Sequence, residues 1–220
     1  MSEDIVQKLV IYFGPFLFAL CFHEFAHGWV ARRKGDKTAE VMGRLTMNPL
    51  AHIDPMGTLF LPIMSILTGL PGIGWAKPVP VDARNLKHPR QDMFWIALAG
   101  PVSNVFLAVV GAFIFAIARA ASLIQPESAV VTLLVVFIQI NFLLAIFNFI
   151  PIHPLDGGKI IGRFLPASWD AKIEQHQNFL MIGLFVLMMF GGLKYLAPIA
   201  SNLSYVLIYS VDQLFSSVLG

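Results

Sequence analysis

The chain has 220 residues, 57% of them hydrophobic and 13% charged, with a net charge of +2 and a mean hydropathy of +0.73. Soluble domains carry about 25% charged residues, so this composition excludes one and implies an integral membrane protein. The small net charge gives no support for a nucleic-acid partner, because the basic residues sit in short clusters beside apolar segments, where they act as topology signals.

Four stretches are long and apolar enough to cross about 30 Å of hydrocarbon. They lie near residues 8–31, 93–118, 129–150 and 178–197. The leader MSEDIVQK is acidic where a secretory leader is basic, and its removal with the first span would discard the histidines there, so it is expected to stay. The lone cysteine, Cys21, excludes an internal disulfide and is expected as a small buried thiol in the first span. After that span, MGTLFLPIMSILTGL (residues 56–70) is short and contains Pro62, which suits a re-entrant segment. Short β pieces are expected on either side of it, at AEVMGRLTM (39–47) and GWAKPVPV (74–81). An exposed edge there, restricted by Pro78 and Pro80, could pair with an extended substrate. In the last stretch, 199–218, Ile199, Leu203, Val206, Leu207, Val211 and Leu214 recur at helical spacing opposite Asp212 and several serines. It either crosses the membrane, as a fifth or sixth membrane helix, or lies in the interface. The expected fold is an all-α polytopic membrane protein in one domain over residues 1–220.

Charge orients these spans. Arg32, Arg33, Lys34 and Lys37 follow the first, and Lys159, Arg163 and Lys172 follow the third, whereas the loop near residue 125 has only Arg119 and Glu127. By the positive-inside rule the first two regions are cytoplasmic. Residues 35–92 then begin and end in the cytoplasm, and the 56–70 segment dips in and returns.

Within the first span stands HEFAH. A charged side chain in hydrocarbon costs roughly 2.5–3.5 kcal/mol on insertion scales, so ionisable groups there point to function. His23 and His27 are four residues apart and share one face of a helix, where they can grip a single Zn²⁺ while the adjacent Glu24 acts as general base. A catalytic zinc site needs a third protein ligand and an open position for water. The best candidate is in NFIPIHPLDGG (148–158), where Pro151 and Pro154 break the third span and deliver Asp156 ahead of Gly157 and Gly158. His153 in the same motif is a second candidate. His52, two residues from Asp54, reads more readily as part of a turn. Asn141 reads as an interhelical hydrogen-bonding residue, and Gly100 and Asn104 of AGPVSN as close helix packing. A metal or proton transporter would also hold His, Glu and Asp in its spans, and an inactive membrane scaffold is a further alternative.

HEFAH and NFIPIHPLDGG, with RLTMNPLAHIDPMGTLFLP, GWAKPVPV and AGPVSN between them, resemble the site-2 protease family of intramembrane zinc metalloproteases in its short prokaryotic branch. The resemblance runs from about residue 14 to residue 163. It implies that His23, His27 and Asp156 bind Zn²⁺, that Glu24 activates water, and that Asn148 lies close to the metal as a further catalytic residue. It also implies a transmembrane protein as substrate and a prokaryotic plasma membrane as location. His153 stands where the family pattern more usually has proline or another small apolar residue.

Overall fold

The structure is a computed structural model that describes residues 2–68 and 74–219. Helix α1 (Ser2–Lys8) passes through a π-helical turn (Leu9–Phe13) into α2 (Gly14–Lys34), followed by α3 (Thr38–Val41). A second π-helical turn (Pro55–Phe60) leads into α4 (Leu61–Thr68). The remaining helices are α5 (Pro89–Ala120), α6 (Ala129–Asn148), α7 (Asp156–Gly162), α8 (Ala167–Gln175), α9 (Gln177–Leu187) and α10 (Leu193–Leu219). Among the described residues three helical runs are long and apolar enough to cross a membrane: Ile5–Lys34, Pro89–Ala120 and Ala129–Asn148.

Helix α5 is the centre of the bundle and packs against α2, α6, α7 and α10. Its sequence explains why. Gly100, Asn104, Ala108, Ala112 and Ala116 recur every fourth residue and are all buried, a stripe of small side chains that lets neighbouring helices approach closely. Ala108, Ala112 and Ala116 meet Ile138 of α6 and Val211 of α10, with Phe142, Leu207, Ile208 and Phe215 packed around them. The helix starts on Pro89, whose missing N–H costs nothing in a first turn. Its Asp92 accepts the His88 N–H at 2.9 Å and pairs with Lys34 at 3.1 Å. The end of α2 is thereby fastened to the start of α5, so residues 35–88 leave and rejoin the bundle at one end.

Between those points the chain makes an excursion. Asp54 caps the π-helical turn by accepting from the N–H groups of Met56 and Gly57, and α4 then packs against Leu9–Phe13, toward the far end of the first long helix. By Trp75 the chain is back: the Trp75 N–H donates to Gly57 O at 3.1 Å and Thr58 Oγ1 donates to Trp75 O at 2.7 Å. Residues 69 and 70 of the predicted re-entrant segment lie outside the described residues.

Two expectations differ from this fold. There is no β-strand among the described residues. Residues 38–41 form one helical turn that ends before Gly43 at φ +65°. Residues 74–81 are extended yet pair with no ladder: two of their N–H positions are prolines, and the backbone groups of Trp75, Lys77 and Val79 go to separate partners. The predicted span at 178–197 is not one helix either. Gly191 takes a left-handed φ of +104°, which stops α9 and its π-helical end and starts α10 on a new course. The segment predicted at 199–218 therefore belongs to α10, which lies along α5 and α6 and whose Asp212 bonds Arg119 at 2.6 Å.

The alanine stripe yields a stability prediction. Ala112→Leu inserts extra volume at a fully buried contact and should destabilise by about 1–3 kcal/mol. Thermal unfolding in detergent should show a clearly lower midpoint for it, with Ile114→Leu, at a half-exposed position, close to wild type.

Candidate metal centre

Helix α2 carries His23, Glu24 and His27 on its buried face, with Ala19, Cys21, Gly28 and Ala31 on the same side. The two imidazoles meet edge to face, ring centroids 4.6 Å apart, and lie directly on the α5 backbone at Gly100. A Cβ at Gly100 would overlap His27 Nε2 and the Cε1 atoms of both rings. Glycine is therefore required there by close approach, since any other side chain would displace the rings.

Asp156 arrives from the opposite direction. The chain leaves α6 at Asn148, turns through residues 149–155 and starts α7 on Asp156. Gly157 sits against the carbonyls of Phe149 and Ile150, and Gly158 against the backbone of His153. The paired glycines let the bend fold tightly onto the short helix. The far end of α7 is held by Arg90 of α5, which donates to Gly162 O at 2.6 Å and to Leu165 O.

Three atoms converge as a result. His23 Nε2 lies 3.0 Å from His27 Nε2, and Asp156 Oδ2 lies 3.1 Å from the first and 3.2 Å from the second. All three residues are buried. The outer nitrogens decide the protonation. His27 Nδ1 is 2.6 Å from Ile96 O, a backbone carbonyl that can only accept, so Nδ1 carries the proton. His23 Nδ1 is 2.6 Å from Asn104 Oδ1. Asn104 Nδ2 donates to Asn141 Oδ1 at 3.0 Å, and Asn141 Nδ2 donates to the Phe137 carbonyl at 2.9 Å. That carbonyl fixes the sense of the whole chain, so Asn104 Oδ1 accepts and His23 Nδ1 also carries its proton. In the neutral imidazoles both Nε2 atoms are then lone pairs, facing each other and a carboxylate oxygen with no proton between them.

Such a set calls for a cation. Ligands 2.0–2.1 Å from a tetrahedral Zn²⁺ stand about 3.3 Å from one another, close to the spacings observed. Two neutral imidazoles and a carboxylate are also a donor set that suits zinc, so the residues fit the ion. Glu24 is not one of the three converging groups. Its Oε2 accepts the Val79 N–H at 2.7 Å, and among the described residues Oε1 has no protein partner.

The other candidates are elsewhere. His52 Nε2 bonds Thr46 O at 2.8 Å while its carbonyl accepts the Lys77 N–H, so it ties loops together. His153 Nε2 faces Asp170 Oδ1 at 3.4 Å. Asn148 donates to Leu144 O of its own helix at 3.0 Å and has no bond to the cluster. Cys21 is buried and outside it. Sequence reasoning assigned Gly100 and Asn104 to helix packing; they do pack the helices closely, and both also touch the histidines. Their four-residue spacing, equal to that of His23 and His27, was the available signal.

Residues 11–125 and 116–190 match the family described as Peptidase family M50. The chain belongs to this family, the site-2 proteases. Its relatives include a Bacillus subtilis (strain 168) protein named "Putative zinc metalloprotease YwhC", 34% identical over 203 residues, which are 89% of this chain and 86% of the relative. They also include "Putative zinc metalloprotease Rip2" of Mycobacterium tuberculosis (strain H37Rv), 30% identical over 216 residues, 95% of this chain and 78% of the relative. The Rip2 protein of Mycolicibacterium smegmatis is 34% identical over 155 residues, 69% of this chain and 56% of that protein. No solved structure matches this chain. As an M50 peptidase with three helices of spanning length, it is an integral membrane metallopeptidase. His23, His27, Asp156 and the neighbouring Glu24 all fall inside the matched region, which ends at residue 190, one position before Gly191.

The outer partners of the ligands give a prediction. Asn104→Ala should weaken metal binding about 10–100-fold by freeing the His23 ring and its tautomer, and Gly100→Ala should weaken it further by pushing both rings aside. Metal content of the purified variants after dialysis against a graded chelator series measures both.

Proposed function

We propose that this chain is an intramembrane zinc metalloprotease that cuts transmembrane protein substrates in or near the bilayer. His23 Nε2, His27 Nε2 and Asp156 Oδ2 would hold the ion, and their convergence into one buried cluster, with Glu24 next to His23 in the chain, is the observation that carries the reading. When bound, zinc acidifies water to a pKa of about 7 and polarises the scissile carbonyl. The chain's own residues do the rest. Glu24 takes the proton of the attacking water at Oε1 and returns it to the departing amine. Oε2, tied to Val79 N–H, keeps the carboxylate turned. Asn148 is assigned to the developing oxyanion, a role for which its amide must exchange the Leu144 carbonyl for the substrate.

A transporter needs no base beside its ligands, and a scaffold needs no converging set of metal donors, so the protease reading accounts for more of the geometry. The substrate must arrive unwound, because a helical carbonyl is already bonded and each backbone group freed in lipid costs several kcal/mol. Helix-weakening glycine and proline near the cut serve that need. We place the protein in a prokaryotic plasma membrane with residues 1–220 acting as one domain.

Glu24→Gln should keep zinc and lose turnover, Asp156→Ala should lose both, and His153→Ala should keep most of its metal. Metal analysis of the purified variants, with a search for a membrane fragment that accumulates only in Glu24→Gln cells, tests this. Normal zinc in Asp156→Ala with depleted zinc in His153→Ala would reverse the assignment.

Orientation is tested separately. The basic clusters support a centre toward the cytoplasmic side, so Lys77 and Lys87 should react only with amine reagents that reach the cytoplasm. Labelling of either from outside intact cells would reject this topology.

A further inference from the structure

Asp36 is a fully buried carboxylate outside the spans, and nothing in the proposed mechanism uses it. It follows Gly35, whose left-handed φ of +112° ends α2. Its Oδ1 accepts the Thr38 N–H at 3.0 Å, the Thr38 hydroxyl, and Asn85 Nδ2 at 2.9 Å. Among the described residues its Oδ2 has one partner, the Asp82 N–H at 2.8 Å. Burial works against the charge, but these donors outweigh it and hold the carboxyl below its ordinary value, so the group is ionised at neutral pH.

The segment it holds runs straight back to the candidate centre. Within Pro78-Val79-Pro80 the prolines have no N–H, so Val79 has the one backbone donor, and that donor goes to Glu24 Oε2 at 2.7 Å. Each proline fixes its own φ and restricts the residue before it to extended geometry. Val81 is the one unrestricted residue between the anchor at residue 82 and these three stiff residues. The other end is held by Arg44, which donates to Lys77 O at 2.7 Å and to Pro78 O at 3.2 Å. The Val79 N–H is thus fixed from both sides, and α2 carries both Glu24 and, one residue past its Gly35 cap, the carboxylate that sets the height of the segment.

We propose that Asp36 is a positioning residue for proteolysis: through Asp82 it sets the register of the 78–82 segment so that Val79 N–H holds Glu24 in its working orientation. This rests on the role given to Glu24 above. The bonds of Asp36 go to Thr38, Asp82 and Asn85 and not to the metal ligands, so its loss acts on the base rather than on the cluster.

Asp36→Asn is a selective test. The amide oxygen retains the three Oδ1 partners, while the new NH₂ faces the Asp82 N–H, donor against donor. With the full-length enzyme in detergent and a single-span test protein carrying glycines at its cut site, the variant should lose on the order of tenfold in kcat, the scale of one hydrogen bond to a charged group. KM and zinc content should match wild type, and amide exchange should speed up in peptides covering 78–86. Val79→Pro removes the same donor directly and should show the same loss of kcat. The double variant should be no worse than Val79→Pro, because both act through one bond. Arg84→Ala, which removes an exposed ion pair with the Asp82 side chain and leaves its N–H, should behave as wild type. Unchanged kcat in Asp36→Asn, loss of zinc in step with activity, multiplying losses in the double variant, or an equal loss in Arg84→Ala would each overturn the proposal. A wild-type enzyme with no zinc-dependent cleavage would instead defeat the protease reading itself.

Discussion

The approach of two imidazole rings onto a bare stretch of helix backbone at Gly100 constrains everything around it. Because α2 lies this close to α5, the His27 ring reaches the Ile96 carbonyl and the His23 ring reaches Asn104, one helical turn to either side of the glycine. The same closeness leaves only one side of the rings open, and Asp156 approaches there. A larger residue at position 100 would not merely crowd the rings. It would separate each from the partner that sets its proton.

That proton arrangement shows how a buried polar site can be tolerated. Asn104 and Asn141 are fully buried between helices, where an unsatisfied amide in hydrocarbon would be costly. Each donates and accepts, and the series ends on a backbone carbonyl at Phe137. The asparagine series therefore leaves its spare capacity at the inner nitrogen of His23, which faces His27 Nε2 and the oxygen of Asp156. Satisfied networks specify one arrangement of a core. Here the network also points the remaining lone pairs at one small volume, which is what a cation site requires.

How much of this was legible in the sequence depends on the range of the interaction. HEFAH could be read because both histidines lie on one helix and the four-residue spacing converts directly into shared direction. Asp156 was found by searching for a carboxylate at a proline-broken span end, since prolines and glycines mark where backbone departs from regular structure. Long apolar runs gave three of the spans, within a few residues at their ends. The fourth failed at Gly191, where a glycine pair inside an apolar run reads equally well as packing. Asn104, Gly100 and the Val79 N–H were not legible as site groups. Each acts only through contact with a helix 55 to 85 positions away in the chain, and a backbone N–H has no sequence signature at all. The expected strands at 39–47 and 74–81 failed for a related reason: β-forming residues make a strand only when a partner edge is present, and here side chains and single backbone groups take its place.

The first turn of α5 then explains how ligands from distant segments keep their register. Asp92 binds Lys34 at the end of α2, and Arg90, two residues earlier, binds the end of α7. Both ligand-bearing helices are thus referenced to one rigid element at one end of the bundle, while Gly100 and Asn104 reference the rings to the same helix further in. Motion of α2 or α7 against α5 would separate the three converging atoms. Helix α4, by contrast, packs against Leu9–Phe13 and α1, so its displacement would leave the three converging atoms in place.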